Sequence, residues 1–157
     1  EPENGEQSAG MIWAIPFQFM KMKQEHVVPL SAQALAVLER MRPISGHREW
    51  VFPSIKDPCK PMHSQTANAA IIRMGFGGEL VAHGLRSIAR TAIAEIANFD
   101  HDPVEACLAH SHKNQVVSAY NRAGYLLKRV PIMEWWANYV TQAASGNLLS
   151  GRLRAVG

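Results

Sequence analysis

A histidine and an arginine three residues apart, in His83-Gly84-Leu85-Arg86, are followed by Leu108-Ala109-His110 and then by Tyr120. Arginine stays protonated and presents a planar fork that can hold two nonbridging phosphate oxygens. Imidazoles can take, give or share a proton. A phenol, with a reference pKa near 10, attacks at neutral pH only beside a base or in a strongly positive site. The set suits phosphodiester chemistry on DNA. Positions three apart share one helix face, so His83 and Arg86 can address the same small anion. Arg90 falls on that polar side, while Leu85, Ile88, Ala89, Ala92 and Ile96 are expected to cover the other. Taken alone, the same pattern is also that of an amphipathic helix with a solvated basic face.

The elements that must position these groups can be read along the chain. Residues 1–10 are polar and rich in Glu and Gly, which reads as a flexible leader. Met11 to Pro16 and His26 to Leu30 are β-prone runs flanking a basic stretch, so a hairpin is expected with Lys21 and Lys23 near its turn. Ser31 is a candidate N-cap for a helix carrying Leu35, Leu38 and Met41, which Pro43 to Gly46 should end. Val51-Phe52 suggests a small strand, and Lys56 to Pro61 a loop. Ser64 to Met74 reads as a helix with Ala67, Ala70, Ile71 and Met74 on one side, stopped by Gly75 to Gly78. The His83 helix should run to about Ala97, with a break over Asn98 to Pro103. Short helices are expected at Val104 to Ala109 and at Gln115 to Arg122, with a loop at Ser111 to Asn114 between them. A long helix over Tyr125 to Gln142 then precedes a tail, with Trp135 or Trp136 set into an apolar groove.

The order His-x-x-Arg, Leu-Ala-His and a tyrosine ten residues further on resembles the catalytic domain of tyrosine recombinases, the integrases of phages and genomic islands. The resemblance takes in Trp13-Ala14-Ile15-Pro16, Met20-Lys21-Met22-Lys23 and His26-Val27-Val28-Pro29-Leu30-Ser31. It continues through Ala119-Tyr120-Asn121-Arg122-Ala123 to Trp135-Trp136-Ala137-Asn138-Tyr139, nearly the whole chain. It implies an α+β, mainly α-helical fold, with a small N-terminal β-hairpin or sheet and a helical catalytic core of the tyrosine recombinase type. The catalytic domain is expected over residues 11–142, with a tail at 143–157.

The resemblance also assigns roles. Lys21, His83, Arg86, His110 and Tyr120 match the family's hairpin lysine, its second arginine, its histidines and its nucleophile. Tyr120 would become joined to a DNA 3′ phosphate, with His83 as candidate base and Lys21 protonating the departing 5′ oxygen. Lys23 competes with Lys21, because two residues apart on a strand they share a face. Arg86 and His110 would neutralise and steady the transition state, and Lys23, Arg90, Lys113 and Arg122 are candidate DNA contacts. The family's first arginine lies upstream of the hairpin, and nothing before Trp13 resembles that segment. The chain is therefore expected to be truncated on that side and poorly active alone. The implied partners are double-stranded DNA attachment sites and other protomers, as a tetramer on DNA. No cofactor is required, since the phosphotyrosine bond keeps the reactivity of the broken phosphodiester.

Composition agrees with a single globular domain: 157 residues and 47% hydrophobic content. A formal charge of +3 and a pI near 9.1 lean modestly toward anionic partners. Cys59 and Cys107 are too few, and too unlike any CxxC arrangement, for a disulfide framework or a four-ligand zinc site, which fits a reducing compartment. No run of about eighteen apolar residues and no basic-then-apolar leader stands in the sequence. Cytoplasmic residence beside the bacterial nucleoid, with no membrane partner, is the expectation. Gly75-Phe76-Gly77-Gly78 lacks the lysine of a nucleotide loop and reads as a turn.

Three other readings stand beside the recombinase. His110-Ser111-His112 with His101, Asp102 and Glu105 offers half a metal site, but no HExxH-like pairing organises it, and no metal is assigned. A DNA-binding remnant without turnover would keep the fold and the basic surface. A type IB topoisomerase would share the tyrosine chemistry and religate the same strand.

Overall fold

The structure, a computed structural model, describes residues 10–21, 23–109 and 115–146, and for 115–124 the backbone alone. The described residues divide into two compact units, one made of those up to Ser31 with those from Phe99 onward, the other Ala32–Asn98. Five α-helices and a two-stranded antiparallel sheet are described, so the fold is mainly helical with a small β element.

In the first unit, strand β1 (Ile12–Ile15) pairs antiparallel with β2 (His26–Pro29) in the register Ile12↔Pro29 to Ile15↔His26. The connection is longer than a tight hairpin and contains a 3₁₀ turn at Phe17–Phe19. Helix α4 (His101–Cys107) and the 30-residue α5 (Gln115–Ala144) complete the unit, with β2 and α4 both against α5. Its core is small: Pro103, Val104 and Ile132 are buried, the last almost wholly. Trp135 and Trp136 are half-buried rather than sunk in a groove. Both stack on Tyr139, at centroid distances of 5.2 and 5.7 Å, and Phe99 meets Trp135 edge-on at 6.5 Å.

The start of α4 and the continuity of α5 differ from the sequence expectation. Pro103 sits in the first turn of α4, where a missing N–H removes no helical bond. Asn98, in the left-handed conformation at φ 52°, makes the break before it. Helix α5 runs unbroken through Gly124, because one interior glycine costs only about 1 kcal/mol against alanine and does not stop a helix held by tertiary packing.

The second unit holds α1 (Ala32–Ser45), α2 (Thr66–Ile71) and α3 (Gly84–Ala92). Helix α1 continues through Pro43, which forfeits one backbone bond so near the end that the helix survives to Ser45. Buried Ser45 then donates to the carbonyl of Val51 at 2.6 Å. No strand forms at Val51-Phe52. An isolated bridge joins Pro53 to Pro61 instead, flanked by Ser54 N to Lys60 O and Met62 N to Phe52 O, and proline's missing donor stops it from growing into a ladder.

Helices α2 and α3 each loosen into a π-helical turn, at Ile72–Phe76 and Ile93–Ala97. The wider turn rotates the residues that follow away from the face an α-helix would give them. Met74 is 64% exposed and Ile96 59%, while the buried apolar residues of this unit are Ile71, Ala92 and Ile93. Leu85 and Ile88, expected on a core face, are each 48% exposed. Gly75, at φ 95°, and Gly78, at φ 85°, take left-handed conformations that end the α2 segment, as their sequence position implies.

Candidate active site

The basic pair of the hairpin lies in the turn that follows the 3₁₀ segment. Lys21 and Lys23 are both exposed, and the backbone N–H of Lys23 donates to the carbonyl of Met20 at 2.9 Å. Lys23 holds φ 48°, a left-handed conformation uncommon outside glycine, whereas Lys21 is not among the residues with positive φ. The turn therefore gives the two lysines different backbone settings.

In the second unit, His83 immediately precedes α3 and Arg86 lies in its first turn, both exposed. The backbone N–H of Arg86 donates to the carbonyl of His83 at 3.2 Å, so the two residues begin one continuous helical path. Arg90 is one turn further on, also exposed, and a basic stripe runs along α3 as the spacing predicts. The helix start has no side-chain cap of its own at His83. What holds it is a turn, Gly84 N to Val81 O at 2.8 Å, and a side chain from elsewhere: Asn68 of α2 accepts the N–H of Ala82 at 2.7 Å. The amide nitrogen of Asn68 in turn donates to Gln65 at 2.9 Å. Sequence reasoning missed Asn68, which reads as one more polar residue on a short helix.

Of the remaining candidates, Tyr120 and Arg122 are backbone positions within α5, while His110 and Lys113 lie outside the described residues. The expected loop at 111–114, the leader up to residue 9 and the tail from 147 lie outside them too. Lys21, Lys23 and α5 thus belong to the first unit, and His83, Arg86 and Arg90 to the second.

The exit of α4 toward His110 is built by Ala109, at φ 53°, whose N–H donates to Ala106 O at 3.2 Å. Arg129 of α5 donates to the same carbonyl through Nη1 at 3.4 Å. Its residue is 5% exposed, and its buried Nε has no hydrogen-bond partner among the described residues. Burial lowers the Arg129 pKa, against the raising influence of Cys107. Burial likewise pushes the Cys107 thiol up to about 11, although the nearby guanidinium opposes it. A neutral, half-buried thiol with a raised pKa is a packing group rather than a nucleophile.

The rival phenols are accounted for by their neighbours. Tyr125 donates to Asp102 at 3.3 Å, and desolvation, followed by the charge of Asp102, raises its pKa. That phenol is harder to ionise, which is the wrong direction for a nucleophile. Tyr139 belongs to the tryptophan stack. Among the described residues, no three His, Cys, Asp or Glu side chains gather as metal ligands, and His110 and His112 are not among them. His101 contacts Asp102 at 3.4 Å and Glu105 at 3.8 Å, the first two exposed and Glu105 largely covered, along the first turns of α4.

The arrangement defines a basic, imidazole-bearing helix start in one unit and a lysine turn with a tyrosine-bearing helix in the other. The model of the phage integrase family matches residues 6–125, most of the chain, and the chain belongs to that family. It is 54% identical over 144 residues, 92% of its length, to a prophage integrase, IntA, of Escherichia coli (strain K12), covering 35% of that protein. It is 40% identical over 127 residues, 79% of its length, to the integrase of Enterobacteria phage P4, covering 29% of it. The integrase of Shigella phage Sf6 is 33% identical over 83% of the chain, covering 34% of that protein. The chain thus spans about a third of the length of the curated relatives it matches. No solved structure matches it. Among the described residues, no helix is long and apolar enough to cross a membrane.

Proposed function

We propose that this chain carries the catalytic centre of a site-specific recombinase, which integrates or excises a mobile element by cutting and rejoining DNA through a 3′-phosphotyrosine intermediate. The observation that supports it most is one of extent: the family match over residues 6–125 contains Lys21, His83, Arg86, His110 and Tyr120, in the order in which the sequence resembles the tyrosine recombinases. In the forward step, the Tyr120 oxygen attacks phosphorus and His83 takes the phenolic proton. The bond from phosphorus to the 5′ oxygen breaks, and that oxygen leaves with a proton from Lys21. Rejoining reverses each transfer, with a 5′ hydroxyl of another strand as nucleophile. Phosphodiester energy is conserved, so no nucleotide enters.

Arg86 and His110 stabilise charge on the nonbridging oxygens, where preorganised donors act most strongly. Lys23, Arg90, Lys113 and Arg122 lie along the DNA backbone and give binding its salt dependence. The whole protein acts on double-stranded attachment sites as a tetramer, in the cytoplasm beside the nucleoid. The test is a plasmid with two attachment sites, incubated with the whole protein in the presence of a chelator. Exchange between the sites is the expected result. Relaxation of a single supercoiled circle without exchange would mark a topoisomerase instead. Loss of all activity on chelation would mark a metal enzyme.

A further inference from the structure

The helix that presents His83 and Arg86 begins without a cap of its own. We propose that Asn68 is a positioning residue for this pair: its side-chain carbonyl grips the N–H of Ala82, one residue before His83, and fixes where α3 begins and in which direction. The inference rests on the recombinase reading of His83 and Arg86.

The bond spans fourteen residues and joins α2 to the turn ahead of α3, at 2.7 Å, near the short limit for an N–H donor to oxygen. Asn68 is itself held, since its amide nitrogen donates to Gln65, which leaves the carbonyl oxygen as the acceptor for Ala82. The backbone hydrogen bonds along the approach to α3 are local. Glu79 and Leu80 both donate to Phe76 O, and Gly84 to Val81 O, which are local turns within 76–84 and tie that segment only to itself. Ahead of them lie Gly75 and Gly78 in left-handed conformations, and a π-helical turn. Asn68 is therefore the described side chain that ties this run back to α2. Part-burial at both ends makes the bond costly to lose to water. A catalytic pair whose helix start depends on this bond is sensitive to it, because a misplacement of about 1 Å can cost a factor of about 10² in rate.

The test compares Asn68→Leu, near-isosteric but without an acceptor, with Asn68→Asp, which keeps a carboxylate oxygen for Ala82. The assay is single-turnover adduct formation by the whole protein on a nicked duplex from the DNA flanking its gene. Dissociation constants are measured on the same duplex. The Leu variant should bind within about twofold of the unaltered protein and form adduct about 10- to 100-fold more slowly. The Asp variant should recover most of that loss. Hydrogen exchange of the Ala82 amide gives a readout apart from activity: protected in the unaltered and Asp proteins, unprotected in the Leu protein.

The proposal is overturned if the Leu variant keeps its rate, if Asp is as slow as Leu, if affinity falls as much as rate, or if the Ala82 amide is unprotected from the start. Should the Leu chain not fold, Asn68→Ala is judged by the same criteria. A Tyr120→Phe control separates the two levels. If that variant still forms adduct, the reading of the active site fails, whatever the Ala82 amide shows.

Discussion

Removing the ammonium of Lys21 should damage chemistry and nothing else. The side chain is exposed in a turn of the hairpin connection. Substitution at such a position changes stability by no more than about 0.5 kcal/mol, so the effect of Lys21→Ala falls on catalysis. A positioned general acid contributes a factor of about 10² to 10⁴, or roughly 3 to 5 kcal/mol of barrier. Adduct formation on a nicked duplex should slow by that factor, with thermal midpoint unchanged and DNA affinity nearly so. The diagnostic substrate carries sulfur in place of the bridging 5′ oxygen, because a thiolate leaves without protonation. On it, Lys21→Ala should regain most of the unaltered rate. Lys23→Ala is the control. It keeps the strained φ of 48°, since alanine pays the same left-handed penalty as lysine, and should bind DNA more weakly while its cleavage rate on saturating ordinary DNA falls far less than that of Lys21→Ala. Rescue of Lys23→Ala by the sulfur substrate, without rescue of Lys21→Ala, would refute the assignment and move the proton to Lys23.

Arg86→Ala should slow adduct formation by a factor of about 10² to 10³ while weakening DNA binding far less, measured as single-turnover rate against dissociation constant. Equal losses would make Arg86 a phosphate-positioning contact. Arg129→Met replaces a buried guanidinium that lacks a partner at Nε, so urea unfolding should show stability unchanged or raised. A marked loss would mean that the Ala106 bond outweighs the cost of burial. Cys107 links stability to alkaline pH. Its folded pKa of about 11 lies above the ordinary 9.0, so the thiol's contribution is complete below pH 9 and lost as pH rises toward 11. About two units correspond to roughly 2 to 3 kcal/mol at most. Between pH 8 and pH 10.5 the parent should therefore lose more unfolding free energy than Cys107→Ala, and equal slopes would contradict it.

The parts of this molecule that were legible in the sequence are those set by local spacing. His83 and Arg86 stand three positions apart, and that is enough to put them on one turn at the start of α3. Two β-prone runs around a basic stretch are enough for the β1–β2 pair. Boundaries that hinge on a small local penalty against distant packing were not legible: α1 passes Pro43, α4 accepts Pro103 and α5 passes Gly124. The π-helical turns after α2 and α3 were hidden as well. No residue type announces them, yet they carry Met74 and Ile96 off the expected face. Hidden for a different reason were Asn68 and Arg129. Each acts through one backbone atom far along the chain, Ala82 or Ala106, and an isolated polar residue on a helix gives no sign of such a partner.

Which tyrosine bears the DNA is the question closest to the centre of the account. Trypsin cuts after Lys113, Arg122, Lys128 and Arg129, which places Tyr120 in Asn114–Arg122, Tyr125 in Ala123–Lys128 and Tyr139 in Val130–Arg152. The whole protein is trapped on a nicked duplex, the DNA is trimmed by nuclease, and the digest is read by mass spectrometry. A nucleotide 3′-phosphate attached to Tyr120 in Asn114–Arg122, absent from Tyr120→Phe, is the predicted result. Attachment in either of the other fragments, or an adduct that persists in Tyr120→Phe, would contradict it.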